Sequence, residues 1–504
     1  MRFIFIFSLI ATSLLAYSQS DLQVNISTKR IAQDIFILAS DSLEGRKFPS
    51  DGREKAAKYI ACQFKKIGLK TISESNEPYF QKIPVRYTER GETHLKVDDK
   101  WLLSGNSYSF SSSIPFTDST TIPLKFIGSE ISRKSPGGGD TVLHITAENI
   151  DKAIEKVRNI SSSTPYEYFA VSLLGKKSST KKIITNERLS GNMQYSEGLF
   201  GMGSRDFRWL HSYIPDSSKN IKVFLFSDEI FQSLYGNNLK AINKSLRRSE
   251  KSSHYKEQTL TSVTFKTKFF VNEVHTYDDN VIGYIEGADL KDEVIIICGH
   301  YDHVGKSARG IYYGADDNAS GTAGVMELAR MCSQAQENGF EFRRSIVFIA
   351  FGAEETGLNG SNYYVKNPVF PLEKTVMVIN MDMIGRSDNS LKNPGYAYTW
   401  ILRGYRKEMK KVLRSIDKQI DDINFHRHKK FPESLMWYFG SDHYPFIRQG
   451  IPALVVSTGT HGDYHEVTDT PEKINYENMA NILKGLFVVI VEVANEPENY
   501  PLKR

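Results

Sequence analysis

Four stretches in the second half of the chain place imidazole or carboxylate groups directly after an apolar run. His300 and Asp302 follow VIIIC at 294–298, and Asp316 and Asp317 stand soon after in GADDNASG. Glu354 and Glu355 follow IVFIAF at 346–351. Asp382 follows VMVIN at 376–380, and Tyr464 and His465 come after ALVVS at 453–457. Mixed imidazole and carboxylate donors suit zinc and similar divalent cations. Two imidazoles with three carboxylates suit two such ions, provided one carboxylate bridges. Two metals roughly 3.5–4 Å apart stabilise the attacking and departing oxygens of a hydrolysis and make water a nucleophile near neutral pH. Hydrolysis also needs a base that is not a ligand. The side chains of neighbouring Glu354 and Glu355 diverge, so the pair can supply one ligand and one base.

These groups can meet only if the four runs are neighbouring strands. Each run is continuously apolar, as in strands covered by helices on both faces. Ligands of open α/β sheets bind at the carboxyl ends of such strands, and there the acidic and imidazole residues begin. The spacing predicts helices over 321–336, 401–420 and 475–494. Near the N-terminus, apolar residues predict a helix over 28–39. A second begins at the D-x-x-E pair Asp51 and Glu54 and stops at Gly68.

Between about 81 and 261 the texture changes to short alternating runs, such as HLKVDDKWLL and IPLKFIG, divided by Ser, Gly and Pro clusters. Helices are expected near 149–159 and 228–234, and a strand near 221–226. No metal-ligand cluster occurs in this part. The expectation is an α/β domain interrupted by a β-rich α+β insert: a leader at 1–18, an N-terminal helical part at 19–80, the insert at 81–261 and the main domain at 262–504.

The chain has 504 residues and a net charge of +5 with scattered Lys and Arg, which gives no basic patch for nucleic acid. Arg2 precedes an apolar run at 3–15, followed by small residues around Ser18. This pattern reads as a cleaved export signal, too short to span a bilayer comfortably. The mature protein is expected to be periplasmic or secreted, without stable membrane insertion. Cys62, Cys298 and Cys332 are expected to be buried free thiols.

Taken together, GHYDHVG, GADDNASG, FGAEETGLNGS, NMDMIGR and DYHEVTDTPEKI resemble the two-zinc aminopeptidase family that also holds glutamate carboxypeptidase and glutaminyl cyclase relatives. The likeness covers about 262–500, and LASDSLEGR and AAKYIACQFKKIGLK resemble the family's opening segment. The resemblance implies a phosphorylase/hydrolase-like three-layer sandwich with a mixed, mainly parallel sheet. It implies two zinc ions. His300 and Asp382 would hold the first, Glu355 and His465 the second, and Asp317 would bridge them, with a cis bond after it. Asp302 would orient the His300 imidazole. Glu354 would be the general base, and Tyr464 would polarise the scissile carbonyl. The insert lies where many members carry a protease-associated domain, and NIKVFLFSDEIFQSLYG makes it a divergent version.

His303 and His461 match no ligand position and are read as lying around the ligands or in solvent. GSDHYPF, with Asp442 and His443, either lines the substrate side or starts a helix capped by Ser441. Trp400, Trp437, Tyr438 and Phe439 are read as core or as an apolar specificity pocket. The expected activity is peptide hydrolysis, foremost release of N-terminal residues. The alternatives are a carboxypeptidase or dipeptidase, with Arg386 and Arg403 as available cations, and a receptor-like binding protein without catalysis.

Overall fold

The computed structural model describes residues 24–90, 271–307, 309–387, 396–402, 406–419, 423–427 and 439–496, and within 93–269 mainly the strands named below. The expected leader at 1–18, and Arg403, Trp437 and Tyr438, lie outside the described residues. One compact unit takes the chain up to Val85 and from Thr276 onward, and the other is Arg86–His275.

The first unit is built on eight strands: β1 (Phe80–Arg90), β2 (Val271–Ile285), β3 (Leu290–His300), β4 (Arg344–Phe351), β5 (Thr375–Met381), β6 (Tyr396–Leu402), β7 (Asn424–Arg427) and β8 (Ala453–Ser457). They form one sheet in the order β1-β2-β4-β3-β5-β8-β6-β7. β3 pairs in parallel with β4 and β5, β5 with β8, and β6 with β7. β2 on β4 and β6 on β8 are antiparallel. The sheet is thus mixed and mainly parallel, and the chain is of the α/β class.

β3 shows why its run is apolar without alternation. Ile295 and Ile297 enter a core with residues of the helices α1 (Thr28–Leu38), α2 (Asp51–Ile67), α3 (Gly321–Glu337) and α7 (Tyr476–Asn495). Ile296 and Cys298 enter a second core on the other face, with Tyr364 of α4 (Asn359–Lys366) and Phe446 of α6 (His443–Arg448). Successive side chains of a strand point to opposite faces, so helices on both sides make the three layers.

Several local expectations change. The helix expected over 401–420 begins only at Arg406, as α5 (Arg406–Gln419), because Thr399 to Leu402 pair with β8. Sheet pairing of this aromatic and β-branched run overrides the helical spacing. α2 starts at Asp51 as expected, but Asp51 is not its cap. Ser50 is the cap, its hydroxyl accepting the Arg53 N–H at 3.1 Å, and Asp51 and Glu54 occupy the first turn. Ser441 does not cap α6, because its hydroxyl accepts the Asn380 amide at 2.9 Å. All three cysteines are free; Cys298 and Cys332 are buried, but Cys62 is exposed on α2. Its position lies outside the apolar stripe of Ile60 and Phe64.

The second unit has its own eight-stranded sheet. HLKVDDKWLL supplies the antiparallel pair Thr93–Val97 and Lys100–Leu102. Phe116–Gly128 pairs antiparallel with Gln258–Phe269 along its length. Val142–Ala147, Tyr168–Leu173 and Lys222–Phe226 follow in parallel, and Tyr108–Ser112 closes the sheet. The helices expected at 149–159 and 228–234 lie outside the described residues, Val157 excepted.

Candidate metal centre

Strand register brings the candidate residues together. His300 lies opposite Phe351, Cys298 opposite Asn380, and Met381 opposite Val456. The carboxyl ends of β3, β4, β5 and β8 therefore finish at one edge. The turn at 315–320 is tied to the exit of β5 by Asn318, whose amide donates to Met381 O at 2.9 Å and accepts from Gly321 N at 2.8 Å. Gly321 is required there, since a Cβ would lie 2.4 Å from both Asn318 Oδ1 and Met381 O. The Asp317–Asn318 peptide bond is cis.

Two groups of ligand-type atoms result, with Asp317 common to both. His300, Asp317 and Asp382 form one. His300 Nε2 lies 3.5 Å from Asp317 Oδ1 and 3.6 Å from Asp382 Oδ1. The other holds His303, Asp317, Glu355 and His465. His465 Nε2 lies 2.8 Å from Asp317 Oδ2 and 3.3 Å from Glu355 Oε1. The two oxygens of Asp317 thus face different groups, the arrangement a bridging carboxylate needs. All these residues are buried or half-buried, and buried charges are tolerated where they pair or coordinate metals. The donor set fits two borderline divalent cations such as zinc.

Glu354 stands outside both groups, with Oε2 3.9 Å from His300 Nε2. Burial and the Glu355, Asp442 and Asp382 carboxylates hold its carboxyl well above the usual range, against the pull of His300. Glu355 goes the other way. Burial works against its charge, but His465 and His303 bring it well below the usual range. Neighbouring carboxyls driven apart in this way take different chemical roles. For His465, burial disfavours the charge, yet Glu355 and Asp317 push the imidazole up to about 11.

Asp302 lies beside His300 and also reaches the turn after β4. His300 Nδ1 lies 3.2 Å from the backbone carbonyl of Asp302, whose carboxylate is 3.8 Å away. The carboxylate also accepts the backbone N–H groups of Glu354 and Glu355. Tyr464 stacks on the His465 ring at 3.9 Å and is 38% exposed.

Residues left outside the ligand set also enter the site. His303 is fully buried within the second group, its Nδ1 2.9 Å from Glu355 Oε1. His461 Nε2 lies 3.1 Å from Asp316 Oδ2, and Asp316 Oδ1 accepts the Gly385 N–H at 2.7 Å. Asp469 accepts the backbone N–H groups of Asp316 and Asp317, and burial raises its carboxyl to about 7. Arg46, fully buried, donates to the carbonyls of Tyr301, Tyr313 and Gly314 from behind the site. The motifs GHYDH, LEGR and TDT held these residues, but contacts between distant segments decide their work. Arg386 is ion-paired with Asp463 at 3.0 Å, and Trp400 and His443 are buried.

Residues 280–490 match the model of Peptidase family M28. These residues belong to peptidase family M28. Aminopeptidase YwaD of Bacillus subtilis (strain 168) is 30% identical over 224 residues, 43% of this chain and 44% of that one. A glutamate carboxypeptidase 2 homolog of Caenorhabditis briggsae is 43% identical over 107 residues, 21% of this chain and 13% of that one. The chain thus spans less than half the length of these two relatives. Among solved structures, BSAP, a zinc aminopeptidase from Bacillus subtilis, shares the fold, with a TM-score of 0.56 at 19% identity over 95% of this chain and 97% of that one.

Proposed function

We propose that the chain is an exported zinc peptidase with two metals, acting as an aminopeptidase on peptides. The observation that carries this reading is the division of Asp317, with Oδ1 toward His300 and Oδ2 toward His465, while Glu354 stays outside both groups. His300, Asp317 and Asp382 would hold one ion, and Asp317, Glu355 and His465 the other. The ions would supply Lewis-acid stabilisation of the reacting oxygens and a lowered pKa for water.

Glu354 then takes the proton of the attacking water and returns it to the departing amine. Asp302 fixes the direction of Glu354 and Glu355 through their backbone N–H groups. Tyr464, stacked on the His465 ring, would donate to the scissile carbonyl. The excess of carboxylates favours a substrate with a free ammonium group. Arg386 is already neutralised by Asp463, so it does not offer the free cation a carboxypeptidase pocket requires. Export rests on the charged and apolar leader at 1–18.

The test is hydrolysis of short peptides by protein of measured metal content. Acetylating the N-terminus should abolish cleavage, and amidating the C-terminus should not. Block by amidation alone would make the chain a carboxypeptidase. Two bound metals with no cleavage of any peptide would point to a binding protein.

A further inference from the structure

His303 is the one imidazole of the cluster without a role in the scheme above. We infer that His303 is a fourth protein ligand of the second metal, through Nδ1, so that the two metals are held by unequal donor sets. The inference rests on the two-metal reading and deepens it.

The distances carry it. A tetrahedral zinc with bonds of about 2.0–2.1 Å sets neighbouring ligand atoms about 3.3 Å apart. His303 Nδ1 lies 2.9 Å from Glu355 Oε1 and 3.6 Å from Asp317 Oδ2. His465 Nε2 lies 2.8 Å from that Asp317 oxygen and 3.3 Å from that Glu355 oxygen. The two imidazoles therefore straddle the same pair of carboxylate oxygens. A residue serving only to orient Glu355 would have no reason to approach Asp317 as well.

The ring has no other polar work. Nε2 makes no hydrogen bond, and the side chain is fully buried. Its placement is built in from two sides. The backbone N–H of His303 donates to Arg46 O at 3.3 Å, and Gly314, at φ +56°, leaves room for the ring, where a Cβ would come within 2.5 Å of it. The rings of His303 and His465 meet edge to face at 5.5 Å.

The consequence is asymmetry. The second site would have four protein donors, as closed structural zinc sites do, and the first only three, as catalytic sites do. Glu354 stands on the three-donor side, 3.9 Å from His300. The second metal is then the tighter one and serves mainly to hold Asp317 and Glu355 in place.

The experiment is zinc titration of the full chain against a competing chelator, for wild type and His303→Ala, with circular dichroism as the control for folding. The wild type should bind two zinc ions in two affinity classes, and His303→Ala should weaken the tighter class by about 10-fold or more. Two zinc ions with unchanged affinities in the variant would overturn this inference alone. Fewer than two in the wild type would overturn the two-metal reading with it. A crystal structure of the zinc-loaded wild type decides without a variant. Nδ1 at about 2.0–2.2 Å from zinc supports ligation, and Nδ1 bonded only to Glu355 contradicts it.

Discussion

The carboxylate of Asp302 accepts the backbone N–H of Glu354 at 3.0 Å through one oxygen, and that of Glu355 at 3.2 Å through the other. The end of β3 thereby grips the turn after β4. The side chains of the Glu pair diverge from a fixed point, one toward His300 and one toward His303 and His465. An Asn at 302 keeps one acceptor and turns an amide toward the second N–H. Asp302→Asn should lower kcat about 10–100-fold, the usual cost of losing a partner that orients metal-site ligands. The melting temperature should change little. Steady-state kinetics with metal analysis check this.

Gly314 lies in the left-handed region at φ +56°, where a Cβ would stand 2.2 Å from the carbonyl oxygen of Asp317 and 2.5 Å from the His303 ring. Gly314→Ala must displace one or the other. The expected result is fewer metals bound per chain, measured by elemental analysis after dialysis, in a chain that remains folded by circular dichroism.

Arg46 joins three segments by hydrogen bonds to the Leu38 carbonyl, the Tyr301 carbonyl and the adjacent Tyr313 and Gly314 carbonyls. Burial lowers its guanidinium to about 10, so it stays charged at neutral pH. Arg46→Met leaves several buried carbonyls without donors, and each such loss costs about 1–3 kcal/mol. Denaturant unfolding should show a loss of about 3 kcal/mol or more.

Glu492, near the end of α7, gives a pH test away from the site. Burial, with Glu496 beside it, raises its carboxyl from 4.5 to about 7. The folded chain then holds a proton that the unfolded chain has lost, so stability from this group is present below pH 4.5 and disappears as the pH rises through about 7. Glu492→Gln should raise the melting temperature at pH 8.5 and leave it nearly unchanged at pH 4.5. Thermal unfolding at the two pH values checks the sign.

Much of this arrangement could be read from residues alone. Acidic or imidazole groups follow each apolar run, so a parallel sheet is enough to bring His300, Glu354, Glu355, Asp382 and His465 to one edge, whereas Asp317 reaches it through the turn at 315–320. His303 could not be read in the same way. A buried histidine beside a strand is ordinary, and its meaning comes from Asp317 and Glu355, two separate segments. The role of Asp302 depends on the turn after β4, which brings two backbone N–H groups to its carboxylate. The 401–420 run misled because its first residues satisfy a sheet edge, and only pairing with β8 shows this. Adjacent Ser50 and Asp51 carry equivalent capping signals, and only the hydrogen bond from the Arg53 N–H shows that Ser50 is the cap.

The most direct test of the central claim is Glu354→Gln, with metal content and turnover measured on the same sample. The amide keeps the shape of Glu354 and removes its basicity. The variant should hold two metals per chain, as the wild type does, and lose turnover by about 10²–10⁴-fold. Loss of a metal would show that Glu354 is a ligand and that its role has been exchanged with that of Glu355. Turnover near the wild-type rate with both metals bound would show that the proton is carried by another group.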